Sequence, residues 1–113
     1  MTRLLDFWHK EVIKKYVSII ITMDARANII ITGVVQGVGF RWFVERAANK
    51  LGVTGWVKNR FDSSVEAEVE GSRSQLETFI KELHIGPRSS SVKSVNVNWL
   101  PHEGKFKKFD ITF

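Results

Sequence analysis

The stretch "NIIITGVVQGVGFRWFVERAANKLG", residues 28–52, decides the fold, because its hydrophobic period changes at a glycine-rich loop. The segment "NIIITGV" (28–34) is a short β-branched run, which predicts a buried strand. After the loop, apolar residues recur with the period of an amphipathic helix, at Phe40, Phe43, Val44, Ala47, Ala48 and Leu51. Gly52 stands where helices commonly end. The stretch therefore predicts a strand, a glycine loop and a helix in direct succession.

The residues that follow predict a β-hairpin. Segments 53–60 and 64–71 flank a short turn, "FDS". In the second segment three small apolar residues alternate with three glutamates, in the order Val65, Glu66, Ala67, Glu68, Val69 and Glu70. Strict alternation is typical of a strand with one buried face and one face in water. We therefore expect the three glutamates to be solvated.

A second helix and two more strands complete the pattern. Ser74 with Glu77 predicts a capping box, and the helix should end before Gly86-Pro87. The helix carries an apolar stripe formed by Leu76, Phe79, Ile80 and Leu83. Two later segments alternate as strands, the first at Val95, Val97 and Trp99 and the second at Phe109, Ile111 and Phe113. The order βαββαβ with a terminal edge strand predicts an α+β, ferredoxin-like sandwich, in which two helices cover one face of an antiparallel sheet.

Composition narrows the class of protein. The 113 residues predict one domain, and 17 Lys+Arg against 12 Asp+Glu, a net charge of +5, favour an anionic partner. Cysteine is absent, which excludes disulfides and thiolate chemistry and fits a reducing, cytoplasmic compartment. His9, His84 and His102 are scattered, without the spacing of metal ligands. No apolar run is long enough to predict a membrane span, and we expect a monomer.

Residues 1–22 are predicted to be an extension of a domain formed by residues 23–113. Leu4, Trp8, Val12 and Tyr16 recur every fourth position, which predicts a short amphipathic helix. The apolar segment "VSIIIT" (17–22) is too short for the core of a signal peptide. The extension is expected to be a tail or helix lying on the domain, with an upstream translation start and a partner-binding segment as alternatives.

The glycine loop has the chemistry of an anion site. Gly37 and Gly39 allow a tight curl, so that the first free amides of the helix point outward and can bind phosphate. Arg41 lies in the first turn, where its positive charge interacts unfavourably with the helix dipole, by about 0.3–1 kcal/mol. An anion bound in front of the helix would offset this cost. A glycine turn with a solvated arginine is the alternative. The segment matches neither a Walker loop nor a dinucleotide fingerprint.

Two separated motifs resemble the acylphosphatase family. "GVVQGVGFR" (33–41) resembles its first signature and "GWVKNRFDSSVE" (55–66) its second, with similar spacing, strand order and a "GP" after the second helix. The resemblance covers residues 27–113. Members are small ferredoxin-like enzymes that hydrolyse the carboxyl–phosphate bond of acyl phosphates.

The resemblance implies roles for particular residues. The phosphoryl group would be held by the Arg41 side chain and by the backbone amides of the loop, which comprises Gln36, Gly37, Val38, Gly39, Phe40 and Arg41. Asn59 would orient the attacking water, so Arg41 and Asn59 are the candidate catalytic residues. Neither metal nor cofactor is implied, since phosphoryl transfer depends on positioning and charge stabilisation. No side chain is evident that could accept the proton of the attacking water. The substrate phosphate is expected to accept this proton.

The sequence departs from the family pattern at two positions. Ser63 follows Asp62 where members often have Asp-Gly, and a left-handed conformation there would cost about 1–2 kcal/mol. Val34 stands where many members carry a basic residue, which would reduce the attraction of anions.

Two other functions fit parts of the sequence. An RNA-recognition domain shares the βαββαβ order, but three solvated glutamates on the third strand would repel nucleic acid, so no nucleic-acid partner is expected. A domain that senses acyl or carbamoyl phosphate without turnover is the other alternative. Similar domains occur within hydrogenase maturation proteins, whereas no further domain is expected after Phe113.

Overall fold

The computed structural model describes residues 2–113, and residue 1 of the predicted extension lies outside them. Eight elements follow one another: α1 (Thr2–Thr22), β1 (Asp24–Val34), α2 (Phe40–Leu51), β2 (Thr54–Asn59), β3 (Val65–Ser72), α3 (Arg73–Ile85), β4 (Ser91–Leu100) and β5 (Phe109–Thr112). After α1 the order is the predicted one. Strand β1 begins four residues earlier than its β-branched run suggested, because Asp24–Ala27 also pair with β3.

The five strands form one sheet in the order β4-β1-β3-β2-β5. The predicted antiparallel pairing holds among the first four strands, whereas β5 runs parallel to β2, so the sheet is mixed at that edge. Helices α2 and α3 pack on one face, and their buried side chains meet those of the sheet in a single core that includes Ile29, Ile31, Val44, Val57, Ala67, Leu76 and Phe79, each 0% exposed. The α+β, ferredoxin-like prediction is confirmed.

The N-cap of helix α3 lies two positions before the predicted one. Ser72 is the N-cap: its hydroxyl accepts from the amide of Gln75 at 3.1 Å, and the Gln75 side chain accepts from the amide of Ser72 at 2.8 Å. The prediction that Ser74 and Glu77 form the capping box was wrong. Glu77 instead accepts a hydrogen bond from the Arg73 guanidinium at 2.9 Å. Both serines fit the sequence rule, but β3 runs through Ser72 and fixes the start of the helix there.

The glutamate face of β3 is not the solvated face that alternation predicted. Glu68 is paired with Arg26 at 3.3 Å and with Lys105 at 2.8 Å, and Glu66 accepts from the Asn28 carboxamide at 2.9 Å. These partners come from β1 and from the segment after β4. The carboxylates of this face are therefore paired or hydrogen-bonded with other side chains of the same chain.

Glu70 is the most buried carboxylate of this face, at 3% exposure. The backbone amides of Glu103, Gly104 and Lys105 donate to it at 2.7, 2.9 and 2.9 Å. Burial alone would raise the pKa of Glu70, but these three amides and the nearby His102 outweigh burial and lower it. The segment after β4 is thus folded around an ionised carboxylate.

Helix α1 is a single helix that includes the apolar segment 17–22, rather than a short helix lying on the domain. Trp8 and Tyr16, two residues of the predicted stripe, are 70% and 63% exposed. The side chain of Leu4, part of the same predicted stripe, lies outside the described side chains. Met23 alone separates α1 from β1, and its carbonyl accepts from the Arg73 amide at 2.9 Å. Within residues 2–113, no helix is both long and apolar enough to cross a bilayer.

Candidate active site

The loop between β1 and α2 depends on two glycines in the left-handed conformation. Gly37 has φ 72° and Gly39 has φ 76°, and Gly39 is the N-cap residue of α2. A Cβ atom at either position would meet nothing within 4 Å. It is therefore the backbone conformation that requires glycine, since other L-residues pay a steric cost in this region.

The loop leaves a group of backbone amides open. No side chain caps α2, and the first intrahelical bond runs from the Phe43 amide to the Gly39 carbonyl at 3.1 Å. Among the backbone hydrogen bonds of the described chain, none is donated by the amides of residues 37–42. Such amides at the positive end of a helix dipole can bind an anion such as phosphate.

Arg41 places a guanidinium beside these amides and is held by the end of the chain. Its guanidinium carbon lies 4.5 Å from the centre of the Phe113 ring, and Nη1 donates to the Thr112 carbonyl at 3.4 Å. The half-buried side chain is thus directed along β5 rather than free in solvent. A planar fork of donors in a fixed position suits the oxygens of a phosphoryl group.

Asn59 meets the loop in one cavity, although it lies 18 positions after Arg41 in the sequence. It ends β2, and its main chain pairs with Val65. The cavity has a volume of about 180 Å³ and is lined by Val35, Gly37, Gly39, Phe40, Arg41, Trp42 and Asn59. The sheet brings them together because β2 and β1 both flank β3 and run in the same direction.

The side chains of the other predicted site residues, Phe40, Val38 and Gln36, lie in the core or outside the lining of this cavity. Phe40 is 2% exposed and packs in the core, so it offers the site only its amide. Val38 packs partly against the same core and does not line the cavity. Gln36 also lies outside the lining.

The side chain of Gln36 joins the loop to the hairpin turn, a contact that the sequence did not reveal. Its Nε2 donates to the carbonyls of Arg60 and Ser64, each at 2.8 Å. Both acceptors are carbonyl oxygens, so only the amino end of the carboxamide can face them. The loop and the strand end that carries Asn59 are thereby tied together. A lone glutamine among apolar and glycine residues was the available signal.

Ser63 takes the left-handed conformation that was expected to carry strain. Its φ is 72°, the only positive φ of a non-glycine residue within residues 2–113. The turn is supported by Asp62, whose carboxylate accepts from both the hydroxyl and the amide of Ser64. These two bonds, the hydroxyl bond first, lower the pKa of Asp62. Serine in place of the glycine that the family often has after Asp62 therefore leaves the hairpin turn in place.

Ser63→Gly is expected to raise the free energy of unfolding by about 0.5–1 kcal/mol. Relief of left-handed strain contributes about 1–2 kcal/mol, and the greater freedom of glycine in the unfolded chain offsets about 0.4–1 kcal/mol of it. Urea denaturation of both proteins measures the difference. Ser89→Gly, at another exposed position, is the matched control and should not stabilise; equal stabilisation by both changes would contradict strain at Ser63.

No group of three or more His, Asp or Glu side chains that could hold a metal ion occurs in the part of the chain that the structure describes. Arg41 carries the positive charge among the residues that line the cavity, and the open amides add the partial positive charge of their N–H dipoles.

Comparison with known proteins agrees with the fold and with both motifs. The acylphosphatase family model matches residues 27–111. The acylphosphatase of Salinibacter ruber is 46% identical over 88 residues, which cover 78% of this chain and 93% of that protein. That of Koribacter versatilis is 50% identical over 82 residues, 73% and 74% of the two chains. The crystal structure of acylphosphatase from Bacillus subtilis matches with a TM-score of 0.77 at 37% identity, over 80% of this chain and 100% of that one. The chain therefore belongs to the acylphosphatase family, enzymes that hydrolyse acyl phosphates.

Proposed function

We propose that the cavity between the glycine loop and Asn59 is the site of acyl phosphate hydrolysis. The amides from Gln36 to Arg41 and the Arg41 guanidinium bind the phosphoryl group, and the Asn59 carboxamide orients the attacking water. The observation that carries this proposal is that the loop glycines, Arg41 and Asn59 line one cavity of about 180 Å³.

The chemistry needs few groups. The water oxygen forms a bond to phosphorus while the bond from phosphorus to the acyl oxygen breaks, and the carboxylate leaves with the electron pair. A carboxylate is a good leaving group, so it needs no general acid to protonate it. A phosphoryl oxygen takes the water's proton, which yields inorganic phosphate. The protein's part is to place the reactants and to stabilise charge on the equatorial oxygens.

We further propose that the reaction requires neither metal nor cofactor. The support is electrostatic: open amides at the start of α2 and a guanidinium held beside them supply positive charge where the phosphoryl oxygens would lie. The substrate is a small acyl phosphate. We also propose a monomer in the cytoplasm, and the absence of cysteine fits that compartment.

Hydrolysis of benzoyl phosphate by the purified chain tests this function. We expect turnover that survives exhaustive treatment with EDTA, and inorganic phosphate at millimolar concentration should raise the apparent KM because it binds the same cavity. Binding of phosphate without turnover would instead identify a sensing domain. Loss of activity with EDTA that Mg²⁺ or Zn²⁺ restores would contradict the metal-independent mechanism.

We propose that residues 23–113 form the catalytic domain and that residues 1–22 are an extension. Deletion of residues 1–22 should leave kcat for benzoyl phosphate nearly unchanged, because both motifs lie beyond Met23. The free energy of unfolding should change by less than about 1 kcal/mol, since the side chains described on α1 are mostly exposed. Circular dichroism and the hydrolysis assay measure both quantities. A truncated protein that folds normally and has lost turnover would place part of the site in the extension.

A further inference from the structure

Helix α1 carries an apolar side on which most of the described side chains are exposed. With 3.6 residues per turn, the described apolar side chains on this side are Trp8, Val12, Ile13, Tyr16, Val17, Ile19 and Ile20. Asp6 and His9, both exposed, share this side near its N-terminal end. Trp8 is 70% exposed, Tyr16 63% and Ile20 50%. An exposed apolar patch of this extent is typical of an interaction surface.

The two borders of this apolar side are basic. Lys15 lies next to Trp8 along one border, and Lys10 and Lys14 lie along the other, all three exposed. Glu11 lies between the borders on the polar side, and its carboxylate is 3.6 Å from Lys14 Nζ. Lysine stems can lie along an apolar surface while their ammonium groups reach the polar layer above it.

From this arrangement we propose that α1 binds the surface of an anionic lipid bilayer and lies in the plane of the headgroups. Lysines, tryptophan and tyrosine around a wide apolar side match the composition of interfacial helices. The net charge of +5 adds a general attraction to anionic lipid. A second copy of the chain is a poorer occupant, because the apolar side spans about half of the helix circumference, whereas a coiled coil buries a narrower seam.

The position of α1 in the fold keeps the catalytic cavity clear of this surface. Helix α1 leads into β1 at Asp24, and the glycine loop follows the other end of the same strand, after Val34. Eleven residues of strand span about 35 Å. A substrate in solution would therefore reach the cavity while α1 is on lipid.

Co-sedimentation of the full chain with lipid vesicles tests this inference. We expect binding to vesicles of phosphatidylcholine and phosphatidylserine in equal parts, little binding to phosphatidylcholine alone, and weaker binding at high salt. Each lysine near an anionic surface contributes about a five-fold factor in partitioning, so reversing Lys10, Lys14 and Lys15 to Glu should weaken binding by about 100-fold or more. A Trp8→Ser, Tyr16→Ser double variant should also lose binding.

The matched control carries the same change of charge elsewhere. Lys81, Lys93 and Lys107 are exposed on the domain, and reversing them to Glu should weaken binding much less. Circular dichroism and turnover of benzoyl phosphate establish that each variant is folded. Equal loss in both triple variants would mean that general charge, not α1, attracts the lipid. Failure of the parent chain to sediment, or a stable dimer lost in the Trp8→Ser, Tyr16→Ser variant, would also overturn the proposal.

Discussion

Replacing Arg41 by alanine is expected to lower kcat/KM for benzoyl phosphate by about 10³-fold or more, by analogy with arginines that stabilise the charge of transferred phosphoryl groups. Inhibition by inorganic phosphate should weaken in parallel, because the proposed role has the guanidinium bind the phosphoryl group in the substrate, in the transition state and in the product. Steady-state kinetics with phosphate as a competitive inhibitor measure both effects.

Arg46→Ala is the matched control. Arg46 lies on the same helix, exposed, beside Lys50 and Glu82 and outside the 180 Å³ cavity. Its loss changes the net charge by the same amount as the loss of Arg41, so it separates a local contact from general attraction of anions. A folded Arg41→Ala variant that is inhibited by phosphate as strongly as the parent would refute the proposed role.

Arg41→Lys distinguishes charge from geometry. A lysine keeps the positive charge but loses the planar fork of donors and its stacking on Phe113. We expect phosphate inhibition to recover partly while turnover stays well below that of the parent. Complete recovery of kcat/KM would mean that a point charge suffices.

Asn59→Ala should behave differently, with kcat about 10²–10³-fold lower and phosphate inhibition nearly unchanged. The carboxamide is proposed to orient the attacking water. Its loss should therefore raise the free energy of the transition state far more than that of the phosphate complex. A lower kcat with an unchanged inhibition constant is the signature that sets this variant apart from Arg41→Ala.

A purely structural role of Asn59 would give another result. The hairpin turn is held by Asp62 and Gln36, and Asn59 is exposed, so the alanine variant should keep the parent's unfolding transition. Asn49→Ala, an exposed asparagine of α2, serves as the control for removing a carboxamide. If folded Asn59→Ala kept most of its kcat, water orientation would have to come from elsewhere.

The elements around the loop could be predicted because their signals are local. The change of period at Gly37–Gly39 marks the end of a strand and the start of a helix, and the apolar stripe from Phe40 to Leu51 became the buried side of α2. The motifs then indicated which residues belong to the site. Their juxtaposition follows from the sheet order, which the βαββαβ pattern implied.

What could not be predicted depends on contacts that are distant in sequence. Arg41 is positioned by Thr112 and Phe113, some seventy residues later, and no pattern near Arg41 indicates them. The glutamates of β3 looked solvated because alternation says nothing about Arg26 or Lys105. The start of α3 was ambiguous for a simpler reason, since two serines satisfied the same capping rule.

Backbone amides available to negative charge occur in two places, of which one is already filled by a carboxylate of the chain and the other is the proposed phosphate site. At Glu103–Lys105 three successive amides converge on the carboxylate of Glu70, which the chain itself supplies and keeps tethered. At the glycine loop the amides of residues 37–42 donate no backbone hydrogen bond, and the residues that line the cavity include no Asp or Glu. A dissolved anion would have to displace a covalently attached rival at the first place and none at the second. Titration with inorganic phosphate should therefore saturate at one equivalent per chain. On the proposed assignment, the same kind of backbone contact would hold the chain together at one end of the sheet and bind substrate at the other.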